Sequence, residues 1–371
     1  MTLPLFIGSE IYRGSSYGRD HPLHIPRVST VMDLCRALGW LPAAQYRTSP
    51  RARTAALAAF HDPGYLSALI EAEAKGTLSP ALRTRYNLGT LSNPIFPEMF
   101  RRPATSAGGA LLGAELVAAG GIAHVPGGGT HHGLRDRANG FCYINDPVLA
   151  ILHLLTLGLR RIAYVDIDAH HCDGVAAAIA DDPRVLIAST HEDGRWPFTG
   201  AATDQGCGNL WNIPLPRGTN DSGFAMARDD ILLPAIAAHR PDALVLQCRA
   251  DALAEDPLSR LALSNRAYLD LLDALRPLCP RLLVLGGGGY NPWTVARLWS
   301  AIWARLNTAE IPDTLPPPAQ RILDALEWRR RPARPPANLT RTLLDTPRPG
   351  AIDPVLRATI ARLRPRLRSQ T

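Results

Sequence analysis

Lysine is almost missing from this sequence of 371 residues: Lys75 stands alone, and every other residue of the 40 counted as Lys plus Arg is arginine. The arginines are spread along the whole chain, so the formal charge of +7 reads as a solvated surface. No nucleic-acid reader motif accompanies that charge, which argues against a specific nucleic-acid module. Cysteine is sparse as well. Cys35, Cys142, Cys172, Cys207, Cys248 and Cys279 lie far apart, with no Cys-x-x-Cys pair. That usage excludes the disulfide framework of a short secreted domain and predicts a reduced, cytoplasmic protein. No run approaches the 18 or so continuous apolar residues of a membrane span. The segment Met1–Phe6 offers only a short apolar stretch with no basic residues ahead of it, so no signal peptide is expected.

What the sequence does contain is enough apolar material for a large core, 46% of its residues. Short apolar runs bounded by turn or polar residues predict buried strands at Leu3–Ile7, Ile122–Val125, Arg161–Ile167, Val185–Ser189, Ala243–Gln247 and Leu282–Leu285. Between them, segments such as Pro147–Leu157 and Asn265–Leu278 have helical spacing. Strands alternating with helices predict an α/β domain with a central, mostly parallel sheet covered on both faces. In such sheets ligands gather beyond the carboxyl ends of the strands, where the polar clusters of this chain fall. After residue 308 the composition changes. Residues 309–371 are rich in proline and arginine (Pro316-Pro317-Pro318, Arg329-Arg330-Arg331), and Arg357–Leu367 has the pattern of a basic helix. The expected organisation is a domain over 1–308 and a wrapping extension over 309–371.

Three clusters carry chemistry. The first is Tyr164-Val-Asp166-Ile-Asp168-Ala-His170-His171-Cys172-Asp173-Gly174. Side chains alternate across a strand, so Asp166, Asp168 and His170 point the same way if the strand runs through them. Carboxylate with imidazole suits zinc or ferrous iron. A further ligand must come from elsewhere, and Asp251, just beyond the run Ala243–Gln247, is placed to supply it. Three protein ligands leave positions open for water and substrate. The second cluster is Pro126-Gly-Gly-Gly-Thr130-His131-His132, two histidines in a loop whose glycines permit close approach. Neutral imidazole is the usual proton acceptor near neutral pH, and Asp166 and Asp173 are candidates to fix its tautomer. The third, Gly286-Gly-Gly-Gly289-Tyr290-Asn291, lacks the phosphate-loop spacings and reads as a turn delivering the Tyr290 hydroxyl into a cleft.

Together these clusters resemble the histone deacetylase and acetoin-utilisation-protein family of the arginase/deacetylase fold, closest to its bacterial branch. The matching residues are His21-Pro22 with Ile25-Pro26-Arg27, Pro126–His132, Gly140–Asp146, Asp166–Gly174, Gln247–Pro257 and Leu285–Asn291, in the family's order over residues 5–305. The resemblance implies a zinc-dependent deacetylase with one zinc per chain held by Asp168, His170 and Asp251. It implies His131 and His132 as tandem catalytic histidines with Asp166 and Asp173 as partners, and Tyr290 as the group that polarises the substrate carbonyl. Phe141 and Trp196 would wall a narrow acyl-lysine channel, with Phe198 a rival for the second wall. Leu258, Gly288 and Arg27 complete the implied substrate-binding set, Arg27 near an acetate exit pocket. Ser189 and the main chain near Asp166, Asp168, His170 and Thr190 fall on a structural potassium site.

Three departures stand out. Arg249 replaces a glycine two residues before a metal ligand, where it would strain the backbone, compete for Asp251, or lie along the surface. Cys172 replaces a second glycine, and Ser92 stands where many relatives place a rim aspartate. The expected substrate is an acetylated lysine of a protein. The alternatives are an acetylpolyamine or another small N-acetyl amide, or an impaired binding protein of the same fold. Neither nucleic acid nor membrane is expected as a partner, and an oligomer is compatible with this reading.

Overall fold

The computed structural model describes residues 3–329 and 335–368. Eight strands form one sheet: β1 (Leu5–Gly8), β2 (Tyr46–Thr48), β3 (Gly121–Val125), β4 (Ile162–Ile167), β5 (Val185–Glu192), β6 (Leu210–Leu215), β7 (Ala243–Cys248) and β8 (Arg281–Leu285). Their order is β2-β1-β3-β8-β7-β4-β5-β6, and every pairing is parallel. All-parallel pairing requires both faces to be covered, and alternate side chains of one strand enter different cores. Val165 and Ile167 of β4 and Leu244 and Leu246 of β7 pack with the helices Val28–Ala37, Asn265–Leu275 and Pro292–Leu306. Ile162 and Tyr164, with Ala243 and Val245, pack on the other face against Arg101–Ala118, Asp146–Thr156 and Asp173–Ile179. The expected doubly covered α/β sheet is the one observed.

Boundaries differ in instructive ways. The first strand runs from Leu5 rather than Leu3, and β5 continues three residues past Ser189 to Glu192. Two strands have no counterpart among the expected runs. Strand β2 is three residues long with Arg47 and Thr48 exposed, so it leaves no apolar signature. Strand β6 contains Pro214, a residue that argues against a central strand. As the sheet edge, β6 pairs only with β5, and one side of it needs no donor. The expected helix to Leu278 is α-helical only to Leu275 and tightens into a 3-10 turn over Arg276–Leu278, because Pro277 has no N–H to give. The expected basic helix at 357–367 is two helices, Pro354–Leu363 and Pro365–Arg368, which meet at the second proline.

The segment beyond residue 308 is packed rather than peripheral. Leu315, Ala319 and Leu323 share a core with Ile25, Leu34 and Trp293, and Leu356, Ile360 and Leu363 join the core on the Val165 face. Arg330 and Arg331 of the expected arginine run lie outside the described residues. The firmest tie is buried and polar. Arg297 donates from Nη1 to Asp345 at 2.6 Å, the Asn265 amide donates to the other Asp345 oxygen at 2.8 Å, and Asn265 accepts from the Asp345 N–H at 2.9 Å.

The four strands β3, β8, β7 and β4 are neighbours, and the chain leaves each of them on the same side of the sheet. The loops after Val125, Leu285, Cys248 and Ile167 therefore meet over the sheet's middle.

Removing the Asp345 carboxylate strands the Arg297 guanidinium in the interior. The Asp345→Ala variant should lose about 3–5 kcal/mol in guanidinium unfolding, the range for breaking a buried ion pair. A loss below about 1 kcal/mol, the usual worth of a surface pair, would show that the extension is loosely attached.

Candidate active site

The loop after β3 is tied back before it reaches its histidines. Asp146, buried at the head of the helix Asp146–Thr156, accepts from the amides of Gly129 at 2.6 Å and Thr130 at 2.9 Å. Asn145 caps the same helix through Val148 N–H at 3.1 Å and donates to the carbonyls of His131 at 3.2 Å and Gly133 at 2.8 Å. Gly129 has φ +98 and lies against the Gly286–Gly287 backbone, where a Cβ would sit 2.7 Å from the Gly286 carbonyl oxygen. Only glycine fits there. His131 and His132 follow, both buried, with Nε2 atoms 2.9 Å apart. An approach of that length is a hydrogen bond when one ring carries the proton. Each Nδ1 meets a carboxylate: His131 with Asp166 at 2.7 Å, His132 with Asp173 at 2.6 Å.

Strand β4 ends at Ile167, so alternation does not carry His170 to its place. A turn does: the amide of His170 donates to its neighbour Asp168, and the Ala169 amide donates to Asp251 Oδ1 at 3.2 Å. Asp251 arrives from a 3-10 turn, Ala250–Ala252, just past β7. His170 Nδ1 stands 3.0 Å from Asp168 Oδ1 and 3.5 Å from Asp251 Oδ2. One ligand atom from each of the three lies within 4.8 Å of the others. The second oxygens of Asp168 and Asp251 are buried without a hydrogen bond. Two buried carboxylates with spare lone pairs beside an imidazole fit a zinc-type donor set. His131 Nε2 stands 3.6 Å from Asp168 and links the histidine pair to this cluster.

Electrostatics follow burial. His132 is pushed down to about 4 by loss of water, with Asp173 pulling the other way. His131 falls well below its ordinary value for the same reason, with the neighbouring His132 adding to it. Both rings are therefore neutral near pH 7. Asp166 is pushed up to about 7 by burial, although the Tyr164 hydroxyl donates to it at 2.5 Å. Burial also raises the Tyr290 hydroxyl, which keeps its proton and remains a donor.

A cavity of about 250 Å³ leads down to this cluster, lined by Ser92, His132, Gly140, Phe141, His170, Arg195, Trp196, Leu258 and Tyr290. Trp196 lies edge-on to His132 with ring centres 4.7 Å apart, and Phe141 faces Tyr290 at 5.9 Å. Phe198 is 75% exposed and does not line the cavity, so of the two expected wall residues Trp196 holds the position. Gly288 and Arg27 do not line it either. Gly288 lies beside Asp251 and accepts from the Ala250 amide at 2.9 Å, and Arg27 donates to the Gly287 carbonyl behind the tyrosine. Ser189 lies on β5 with its hydroxyl 2.9 Å from His191 Nδ1.

The expectations for Arg249 need correction on two points. Its backbone is ordinary extended chain, φ −81 and ψ 134, so there is no strain to relieve. Nor does it lie along the surface. The side chain is buried, with Nε against Asp168 and Nη2 3.5 Å from both Asp251 and the Tyr290 hydroxyl.

Several residues of the site were not singled out from sequence. Asp256 accepts from the amides of Leu258 at 2.9 Å and Tyr290 at 2.7 Å and so holds the tyrosine loop. Arg195 forms a two-point pair with Glu192 and donates to the Leu258 carbonyl at 2.7 Å, bracing the mouth. Asn145 and Asp146 lie inside a matched motif, which was their only signal.

Residues 21–306 match the model of the histone deacetylase domain. The chain is 33% identical over 327 residues to the acetoin utilization protein AcuC of Bacillus subtilis, covering 84% of each. It is 36% identical over 293 residues to histone deacetylase 6 of Arabidopsis thaliana, covering 76% of this chain and 62% of that one. Among solved structures it superposes on an HDAC homolog from Aquifex aeolicus with TM-score 0.93 and 33% identity, covering 98% of this chain and 100% of the other. An HDAC homolog complexed with SAHA gives TM-score 0.94 and 34% identity at the same coverage.

Burial holds His61 and His132 at about 4, and His124 and His191 at about 3. In the unfolded chain each titrates near about 6.5. As pH falls through that value the unfolded state gains protons that the folded state refuses until about 4. The stability these histidines contribute is therefore full above about pH 6.5 and lost as pH falls towards about 4, while Asp166, raised by burial, contributes in the opposite sense. Urea unfolding of the parent and of His124→Phe at pH 7.5, 6 and 5 reads the histidine part by difference, and a fall in midpoint on acidification that is no smaller in the variant would contradict the buried-neutral assignment of His124.

Proposed function

The chain belongs to the histone deacetylase family and is a hydrolase acting on amides, and on that premise we propose that it removes acetyl groups from acetylated lysine side chains of proteins. The observation that carries the reading is an aromatic-walled cavity of about 250 Å³ that reaches His132 and His170, where the histidine pair meets the Asp168–His170–Asp251 cluster. A long, thin acyl-lysine fits such a channel, with its amide delivered to the floor. Asp168, His170 and Asp251 would hold one zinc ion, which supplies a Lewis acid for water and carbonyl when bound. His132, neutral and oriented by Asp173, takes the proton of the attacking water and returns it to the departing amine. His131, held by Asp166, tunes its neighbour electrostatically. The Tyr290 hydroxyl donates to the oxyanion as charge develops there. Asp256 fixes the Tyr290 backbone so that the donor is already in place.

A cationic acetylpolyamine is the competing substrate. Among the described residues no carboxylate lines the cavity and Leu258 is part of its wall, which favours the neutral approach of a peptide-borne side chain. We further assign residues 1–308 as the catalytic domain and 309–371 as a C-terminal extension. A potassium ion at Ser189 and a cytoplasmic location belong to the same proposal. Among the described residues no helix is long and apolar enough to cross a membrane.

An acetyl-lysine peptide and acetylspermidine should be offered to one zinc-loaded preparation. Faster hydrolysis of the peptide is expected, and preference for acetylspermidine would reverse the substrate assignment. In the same assay His132→Ala should lose about 10²–10⁴-fold in rate. Tyr290→Phe should lose about 10²-fold or more in kcat while zinc stays bound. His170→Ala should lose the metal itself. Wild-type turnover by Tyr290→Phe would remove the tyrosine from the mechanism.

A further inference from the structure

Arg249 is the cation closest to the proposed metal ligands. The end of β7 is pinned from two sides, because Trp299 donates to the Cys248 carbonyl at 2.8 Å and Tyr268 to the Arg249 carbonyl at 2.6 Å. With its backbone held, the side chain runs along Gly287, where a Cβ would meet Arg249 Cγ at 2.5 Å. The glycine loop thus leaves a groove that the arginine stem fills. At its far end Nη1 donates to the Gly129 carbonyl at 3.1 Å, and Nη2 lies 3.5 Å from the Tyr290 hydroxyl. Between these, Nε faces Asp168 and Nη2 faces Asp251 Oδ2 at 3.5 Å.

Asp168 and Asp251 are also two of the three ligands assigned above, so two cations address one pair of buried carboxylates. A guanidinium beside a carboxylate keeps it ionised but draws on the lone pairs that a metal needs. Two buried carboxylates with no cation near them would be costly, so the same contact supports the fold when metal is absent. The arginine has other partners to keep, the Gly129 carbonyl and the Tyr290 hydroxyl.

We propose that Arg249 is an internal counter-cation of the metal site, holding Asp168 and Asp251 in the metal-free protein and yielding them when the metal loads. It is a positioning residue, acting through the ligands and not on substrate. The consequence is a weaker, more exchangeable site than one with glycine at this place, in a protein whose metal-free form stays folded. The inference rests on the metal-dependent reading above, and its test reads metal and stability without using activity.

Zinc affinity is measured by chelator competition for the parent, Arg249→Met, Arg249→Gly and Arg249→Lys. Melting temperatures are taken with and without zinc. Arg249→Met and Arg249→Gly should bind zinc about 10–100-fold more tightly, the range commanded by groups beside metal ligands. Stripped of zinc, both should melt below the stripped parent and rise further when zinc is restored. Arg249→Lys, which keeps the charge, should stay close to the parent. Equal or weaker zinc binding by the methionine and glycine variants overturns the inference, as does a gain by lysine equal to that of methionine. Should the stripped variants fail to fold, the parent decides: its Arg249 Nε–H NMR signal should move when one equivalent of zinc is added, and an unmoved signal rejects the exchange. Unchanged affinities with deacetylation intact remove this inference alone, whereas no zinc binding by any form removes the metal-dependent reading with it.

Discussion

Ionised and ionisable groups crowd into a space from which water has been taken away. Asp166, Asp168, Asp251, His131, His132, His170 and Arg249 are all buried at the carboxyl ends of four adjacent strands. A lone buried charge is expensive, so each must be paired, neutralised or offered to a ligand. Asp166 takes the Tyr164 hydroxyl and a histidine, and Asp173, half covered, takes His132 and the Asn139 amide at 2.9 Å. His131 and His132 answer by giving up their charge. The oxygens left over are Oδ1 of Asp166 and Oδ2 of Asp168 and Asp251, and the last two lie where a cation would complete them.

That demand explains much of the scaffold. Parallel strands direct successive loops to one side, and a sheet covered on both faces keeps the loops from reaching water beneath. Gly129, Gly286 and Gly287 let two loops touch backbone to backbone. Asp146, Asn145 and Asp256 hold those loops by their amides and carbonyls, so the histidines and the tyrosine are placed by backbone rather than by their own packing. The aromatic walls then have a fixed floor to stand over. The C-terminal segment closes the outer layer, and Asp345 meets the one arginine, Arg297, buried in the helix that follows the tyrosine loop.

Arg249 shows how this scaffold accommodates a long cation beside its acidic cluster. The residue's backbone angles suit any side chain, and the groove over Gly287 was already there because glycine lines it. A long cation therefore enters with ordinary backbone angles, and its charge falls beside two buried carboxylates. The site's acidity is shared between an arginine inside the chain and whatever cation comes from outside.

Much of this was legible from the residues alone, for a definable reason. Strands β3, β4, β5, β7 and β8 are runs whose burial on both faces leaves a continuous apolar signature. The clusters at 126–132 and 164–174 hold their chemistry in contiguous residues, where order in the chain nearly equals order in space. Strands β2 and β6 were not legible, since one is too short and exposed and the other carries a proline that only an edge position permits. Spacing proposed Asp251 as a ligand, but contact between Asp251 and Ala169, 82 residues apart, is a product of the pairing of β4 with β7. Strand alternation was the wrong device for His170, which a turn delivers. Which of Trp196 and Phe198 faces the cavity, and whether Arg249 turns inward or outward, depends on side-chain direction. The residues' chemistry was written in the sequence; the direction each side chain takes was decided by the pairing of strands, the close approach of glycine backbones and the charges already buried there.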